Sequence, residues 1–455
     1  MEDIRILALT GMVGSGYPIE SFLEGLRRNP DIIGMDAGST DGGAAPLGGG
    51  FFGVSPRGIR RDLSIAIPAV INAGKRLIIG SAGTAGANVH VDMFLDLIRE
   101  IKVESSLRDI RIAVIRSEVN KTLVKEKIRQ KKIYPMPGLI PELTEEEVDQ
   151  AIRIVGQMGV EPYISAHNLN PDIILAGRSC DTAIYAAYPI IHGVEHGLAF
   201  HAAKIMECGA YAADPGVGCD CLMATFRKDY FELEPLNPKL KCTPLSVAAH
   251  TMYENAHPFR FTEPDGTVDC GDAVFEQVTP NAVRCRGAKF YPSEPGKACI
   301  KLEGARLTGY RSISIVGVHE PAFIRNYDYI IDKLLTEVSS LFGSGDDMGY
   351  SVQFRAYGKN AVLQTLETHN AAEHEIGIVI DVVAKTQELA NSVCGMFRGS
   401  MMHMPYPGRQ TIGGNLAFAF TPLDSNLGEL FEFNIYHLMQ TDDMNAIFPV
   451  EIITI

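Results

Sequence analysis

Six short apolar runs in the first 181 residues each stop at glycine, serine, aspartate or another polar residue and are linked by amphipathic stretches, and this alternation restricts the fold more than any other feature. The runs cover residues 5–11, 31–38, 76–83, 110–118, 161–168 and 172–181. Between them, stretches such as PIESFLEGLRR, VHVDMFLDLIREI and EEEVDQAIRIVGQMG repeat apolar residues at i, i+3, i+4 and i+7, the spacing of one helix face. Strands that alternate with helices pair in parallel, and continuous apolar strands such as LIIG and DIILAG fit a sheet covered on both faces. The pattern predicts an open, mainly parallel, Rossmann-like α/β domain over residues 1–214.

Beyond it the texture changes. Residues 215–304 mix proline, glycine and cysteine with strand-like pieces and read as a β-rich extension of the first domain. From residue 305 to 455 the pattern sharpens into strand, helix, strand, strand, helix, strand. That order is the one of a ferredoxin-like α+β domain, followed by a C-terminal tail.

Composition narrows the function classes. Of 455 residues 46% are apolar and 21% charged, enough to bury cores in two or three domains. Lysine and arginine total 41 against 55 acids, a net charge of −14 with no basic run, which excludes non-specific binding to nucleic acid or anionic membrane. The nine cysteines are an odd number, the opening MEDIRILALTG has acid where a secretory leader has base, and no apolar stretch reaches about 18 residues. A cytoplasmic protein is expected.

Ligands of parallel sheets bind beyond the carboxyl ends of the strands, where loops converge and helix N-termini offer free N–H groups. The unusual residues cluster in these loops. Gly14 and Gly16 lie in GMVGSGYP, Asp36 and Asp41 in MDAGSTDGG, Ser81, Thr84 and His90 in GSAGTAGANVH, His167 and Asn168 after the fifth run, and Arg178 and Asp181 after the sixth. The glycines either form a tight strand-to-helix turn or approach an anionic ligand. A third glycine of the dinucleotide fingerprint is missing, so neither nicotinamide nor flavin is expected. Arg178 beside a helix start suits a carboxylate or phosphate, the alternatives being a surface salt bridge for Arg178 and a helix cap for Asp181. His90 and His167 are either proton carriers or satisfied core histidines. Asp36 and Asp41 could hold Mg²⁺ or another divalent cation. HExxH, paired CxxC, GxSxG and Walker A sequences are absent, which disfavours zinc proteases, ordinary serine hydrolases and P-loop enzymes.

The stretch DIILAGRSCDTAIYAAYPIIHGVEHGLAFHAAKIMECGAYA resembles the acyclic terpene utilisation AtuA-like family, in which Gly-Arg-x-x-Asp ends a strand and Glu-Cys-Gly ends a later helix. Here these are Gly177, Arg178 and Asp181, then Glu207, Cys208 and Gly209. The resemblance covers residues 5–320 and implies a catabolic enzyme of acyl-CoA thioesters. Hydration of an unsaturated acyl-CoA and a carbon–carbon lyase step are the reactions it suggests.

Together these features predict a lyase or hydratase acting on a small branched or unsaturated carboxylate or its acyl-CoA thioester, in a homo-oligomer. His167, His90 and Asp181 are the expected catalytic residues; Arg178, Gly14, Gly16, Ser81, Thr84 and Asn168 the expected substrate contacts; Asp36 and Asp41 the expected metal ligands. A metal-assisted hydrolase of a similar substrate and a non-catalytic assembly or ligand-binding subunit are the alternatives.

Overall fold

The computed structural model describes residues 3–138, 140–342, 349–368, 374–413 and 415–455. The chain divides into two compact units, residues 1–306 with 433–455, and residues 307–432. Residues 433–455, expected in the C-terminal domain, thus belong to the first unit.

Five of the six apolar runs contain strands of one parallel block: Ile4–Ala8 (β1), Ile32–Asp36 (β2), Arg76–Gly80 (β3), Arg111–Ile115 (β4) and Ile173–Ala176 (β5). They lie in the order β1-β2-β3-β5-β4, every neighbouring pair parallel. The sheet is nevertheless mixed. Leu222–Phe226 (β6), Phe231–Pro235 (β7), Val274–Gln277 (β8) and Val283–Arg286 (β9) extend it antiparallel beyond β1 in the order β8-β9-β7-β6. The final strand, Val450–Thr454, pairs antiparallel with β4 at the other edge. The β-rich segment and the chain end therefore complete the first unit's sheet, and "mainly parallel" holds only for its middle.

Alternate residues of the central strands enter two cores. Leu7, Ile33, Ile79 and Leu175 pack against helices Ile19–Arg27 (α1), Pro56–Asn72 (α2) and Asn88–Glu104 (α3). Ile6, Ile32, Ile78 and Ile174 pack against Val160–Asn168 (α4), Ala183–Ile191 (α5) and His196–Met206 (α6). Truncating any of these isoleucines to alanine costs about 2–5 kcal/mol.

Helix α4 corrects the expected fifth strand. Val160, Tyr163 and Ala166 are spaced for one buried helix face, and Pro162 is tolerated in a first turn. Conversely the run EEEVDQAIRIVGQMG splits: a helix ends at Gln150, and β-branched Arg153–Gln157 forms a strand.

The second unit takes the far ends of two long strands, Cys299–Val318 (β10) and Asp424–Gln440 (β13), together with Tyr350–Tyr357 (β11) and Ile376–Ala384 (β12). The sheet order is β11-β12-β10-β13, with β11-β12 and β12-β10 antiparallel. Helices Tyr327–Phe342 (α7) and Gln387–His403 (α8) cover one face through Ile330, Leu334, Val393 and Phe397. Among the described residues no helix is long and apolar enough to cross a membrane.

Candidate functional site

Because β1, β2, β3, β5 and β4 run in parallel, the segments that follow them meet at one edge of the sheet. Arg178 enters there through a close backbone approach. A Cβ on Gly86, which sits at φ +66°, would lie 2.0 Å from the Arg178 nitrogen, and one on Gly177 would lie 2.4 Å from the Gly86 carbonyl oxygen. Only glycine pairs allow that contact.

The guanidinium so seated is 3% exposed, which excludes a surface salt bridge. Its Nε donates to Glu303 Oε2 at 3.0 Å, and its Nη1 donates to Ser179 O at 3.1 Å and to Ser81 Oγ at 3.4 Å. Asp181 Oδ1 lies 3.6 Å from Nη1. Glu303 is fully buried and also pairs with Lys301 Nζ at 2.7 Å. Burial alone would raise the Glu303 carboxyl, but Arg178 and Lys301 outweigh it and hold the group down at about 2. Burial likewise works against the Arg178 charge, and Glu303, Asp181 and Asp36 overcome it. Breaking such a buried pair from one side costs about 3–5 kcal/mol because a bare charge stays behind.

Asp36 closes β2 and is 4% exposed; the Gly38 backbone bonds its carboxyl group, but among the described residues its Oδ1 has no hydrogen-bond partner. Burial raises its carboxyl well above the ordinary range, the like charge of Asp181 raises it further, and Arg178 opposes both. Asp181 is raised by burial too, with Arg178 and Lys204 opposing. Its Oδ1 has no hydrogen bond, and its side chain is 31% exposed, so solvent reaches this end of the pair. Helix α5 makes no side-chain cap bond, so Asp181 is not spent on capping. Two carboxyl groups that burial keeps from ionising, beside a fixed cation, are suited to holding and passing on a proton.

Around this pair stand groups that sequence reasoning had not assigned to the site. Glu207, at the end of α6, pairs with Lys204 Nζ at 2.6 Å, both buried. Burial lifts Glu207 to about 8 against the pull of Lys204, with Asp181 adding to the rise. Tyr185 of α5 lies over Gly34, where a Cβ would meet its ring at 2.4 Å; its buried hydroxyl has no hydrogen-bond partner among the described residues, and the charges of Asp36, Glu207 and Asp181 reach it. Tyr163 of α4 shares a 2.7 Å hydrogen bond with Ser179 Oγ. The signal available in sequence was a Lys-x-x-Glu pair inside the otherwise apolar helix HGLAFHAAKIMECG.

Other expected site residues are placed differently. Ser81 and Thr84 are buried at the same edge, at φ +50° and +77°. His90 is also there, but both ring nitrogens are used: Nε2 bonds Phe51 O at 3.0 Å and Nδ1 accepts from Ala87 N at 3.1 Å, a bonding pattern that fixes one neutral tautomer. The backbone nitrogens of Gly14 and Gly16 donate to Asp62 Oδ2 at 2.7 and 3.0 Å, so the anion in the glycine loop is a side chain of the protein itself. Asp41 is exposed and accepts from Ser39 Oγ at 2.7 Å, yet its charge reaches Asp181. His167 and Asn168 end helix α4 rather than a strand and lie at the opposite, amino-terminal edge. There His167 Nδ1 is 2.9 Å from Nη1 of Arg76, the first residue of β3. Burial and Arg76 drive the imidazole down to about 3. Among the described residues no group of three or more histidine, cysteine, aspartate or glutamate side chains is arranged to hold a metal ion.

No curated protein and no solved structure matches the chain. A family model does: the one described as acyclic terpene utilisation family protein AtuA matches residues 57–220 and 238–422, which include Arg178, Asp181, Glu207 and Glu303. With most of its length matched, the chain belongs to the acyclic terpene utilisation AtuA family.

Proposed function

We propose that the protein is a lyase or hydratase acting on a small unsaturated or branched carboxylate or its acyl-CoA thioester, with Asp36 and Asp181 as the proton-moving pair. The observation that carries this reading is the pair itself: two carboxyl groups with raised proton affinity, whose Oδ1 atoms accept no hydrogen bond among the described residues, beside the Arg178 guanidinium. An ordinary structural site saturates its buried polar atoms, and these are left for a ligand.

In this reading Arg178 sits where negative charge collects, on the carboxylate or the developing enolate oxygen, as its hydrogen bonds among the described residues run through Nε and Nη1. For hydration of a double bond conjugated to a carbonyl, the ionised member of the pair takes a proton from water as the oxygen attacks the β-carbon. The protonated member gives its proton to the α-carbon. Water adds as H and OH, and a lyase would run proton removal from a 3-hydroxyl group on the same pair. General acid–base steps of this kind contribute about 10²–10⁴-fold.

A hard cation on Asp36 and Asp41 would instead make the chain a metal-assisted hydrolase, since Mg²⁺ needs only one or two carboxylates and completes its shell with water. In the same proposal the first unit is Rossmann-like. The second is ferredoxin-like, on the strength of its strand order and two helices on one face. The test is turnover of 2,3-unsaturated and 3-hydroxy thioesters and free acids by the purified chain, before and after exhaustive chelation. Water addition or retro-aldol cleavage that survives chelation supports the reading; activity that disappears and returns with Mg²⁺ favours the metal one, and no turnover of any member removes both.

A further inference from the structure

A cavity of about 530 Å³ opens within the first unit between the loop after β2, residues 140–147 and the last stretch of β13. One chain of side-chain contacts and one electrostatic influence join it to the charged centre. Asp41, on its wall, is close enough to raise the Asp181 carboxyl. Tyr436, also on its wall, lies 5.1 Å under Lys301 Nζ, Lys301 pairs with Glu303, and Glu303 holds Arg178.

The wall is apolar where it is deep and acidic where it is open. Leu143 is buried, and the half-buried rings of Phe433 and Tyr436 stand 6.2 Å apart. His437 adds no charge, because Nδ1 accepts from the Tyr436 N–H at 3.0 Å and Nε2 bonds Pro141 O at 3.0 Å. Arg306 is neutralised by Glu147, whose two oxygens lie 3.0 Å from its Nη1. Asp41 and Glu142, both exposed, leave the mouth negative.

We infer that this cavity takes the uncharged, hydrocarbon part of the substrate whose carboxylate or thioester end reacts at Asp36, Asp181 and Arg178. The inference rests on the reaction proposed above and adds a direction to it. A hydrocarbon chain gains by leaving water for aromatic and aliphatic walls. A second anion at the far end would meet Asp41 and Glu142 and be repelled. If the substrate is a thioester, its acyl group points into the cavity and its phosphate-bearing carrier leaves another way.

Binding of three probes to the full chain by calorimetry tests this: octanamide, octanoate and the dicarboxylate octanedioate. The expected order is octanoate and octanamide bound, with octanedioate at least tenfold weaker than octanoate. Phe433→Ala should weaken octanamide at least tenfold, and the exposed change Asp41→Lys should improve octanedioate about tenfold. Arg178→Lys should weaken octanoate and leave octanamide unchanged. Octanamide that does not bind the unaltered chain, or binds Phe433→Ala equally well, overturns the cavity assignment, whatever the fate of the chemistry at Asp36. An octanedioate affinity equal to that of octanoate, or unmoved by Asp41→Lys, overturns its charge rule. Should Arg178→Lys leave octanoate binding intact while Phe433→Ala abolishes it, the cavity stands and the role given to Arg178 falls.

Discussion

Asp62 and Asp36 are both almost fully buried aspartates of the first unit, and their surroundings are opposite. Asp62 reaches from helix α2 into the glycine loop, where it accepts from the backbone of Gly14 and Gly16 and pairs with Arg61 Nη1 at 2.7 Å. Asp36, at the end of β2, has an Oδ1 without a donor and a second carboxyl group close enough to resist its ionisation. The first carboxylate replaces an external anion and ties a loop down. The second is left short of partners by a scaffold that supplies donors elsewhere. The satisfied carboxylate holds a loop, and the one short of partners is the one we propose as a proton carrier.

The largest contrast should come from activity. Asp36→Asn is expected to lower kcat by about 10²–10⁴-fold with little loss of stability, since it removes a proton carrier while an amide oxygen can still accept from the Gly38 backbone. Steady-state kinetics together with urea unfolding reads both effects, and an Asp36→Asn enzyme with unchanged kcat breaks the contrast outright.

Asp62→Ala should behave in the opposite way. It strands two part-buried backbone N–H groups, at up to about 1–3 kcal/mol each, so urea midpoints should fall by an amount equivalent to about 1–3 kcal/mol. A stability unchanged within error would show that the glycine loop does not need its internal anion.

A third expectation concerns pH. Glu207 titrates at about 8 in the folded chain against 4.5 when unperturbed, so between these values the folded state holds a proton that the unfolded state has released. Its contribution to stability is present below about 4.5 and is lost as pH rises through about 8. Chemical denaturation across that window should show a downward slope that flattens in Glu207→Gln; equal slopes in the two proteins would place the carboxyl in water.

The smallest effect is also the most unusual in sign. Tyr185→Phe deletes a buried hydroxyl without a partner, and should stabilise the fold by about 1 kcal/mol while weakening ligand binding. Destabilisation in a thermal scan would mean that the hydroxyl has a partner in solution.

How far this was legible in sequence differs between the same two regions. The parallel middle of the sheet was, because β1 to β5 are continuous apolar runs that suit nothing else, and their ends carried Asp36, Ser81 and Arg178 to one edge. His167 was misplaced because residues 161–168 are short and apolar enough to pass for a strand, while their helical spacing shows only once Val160 is counted. Partners distant in sequence were not legible at all. Asp62 lies 46 and 48 residues from the glycines it serves, and Glu303 lies 125 residues from Arg178. Nothing local announces such pairs, since each depends on which strands become neighbours. The final strand was taken for a tail for the same reason: its role appears only in its pairing with β4.

The account turns on whether Asp36 moves a proton, and isotope transfer measures that directly. Hydration of a 2,3-unsaturated thioester by the purified chain in D₂O, followed by mass spectrometry, should place one deuterium on the α-carbon. Asp36→Asn should leave that carbon unlabelled over the same interval. Labelling by Asp36→Asn at the rate of the unaltered protein would contradict the assignment and return Asp36 to the company of Asp62, a carboxyl group with a place in the fold and none in the reaction.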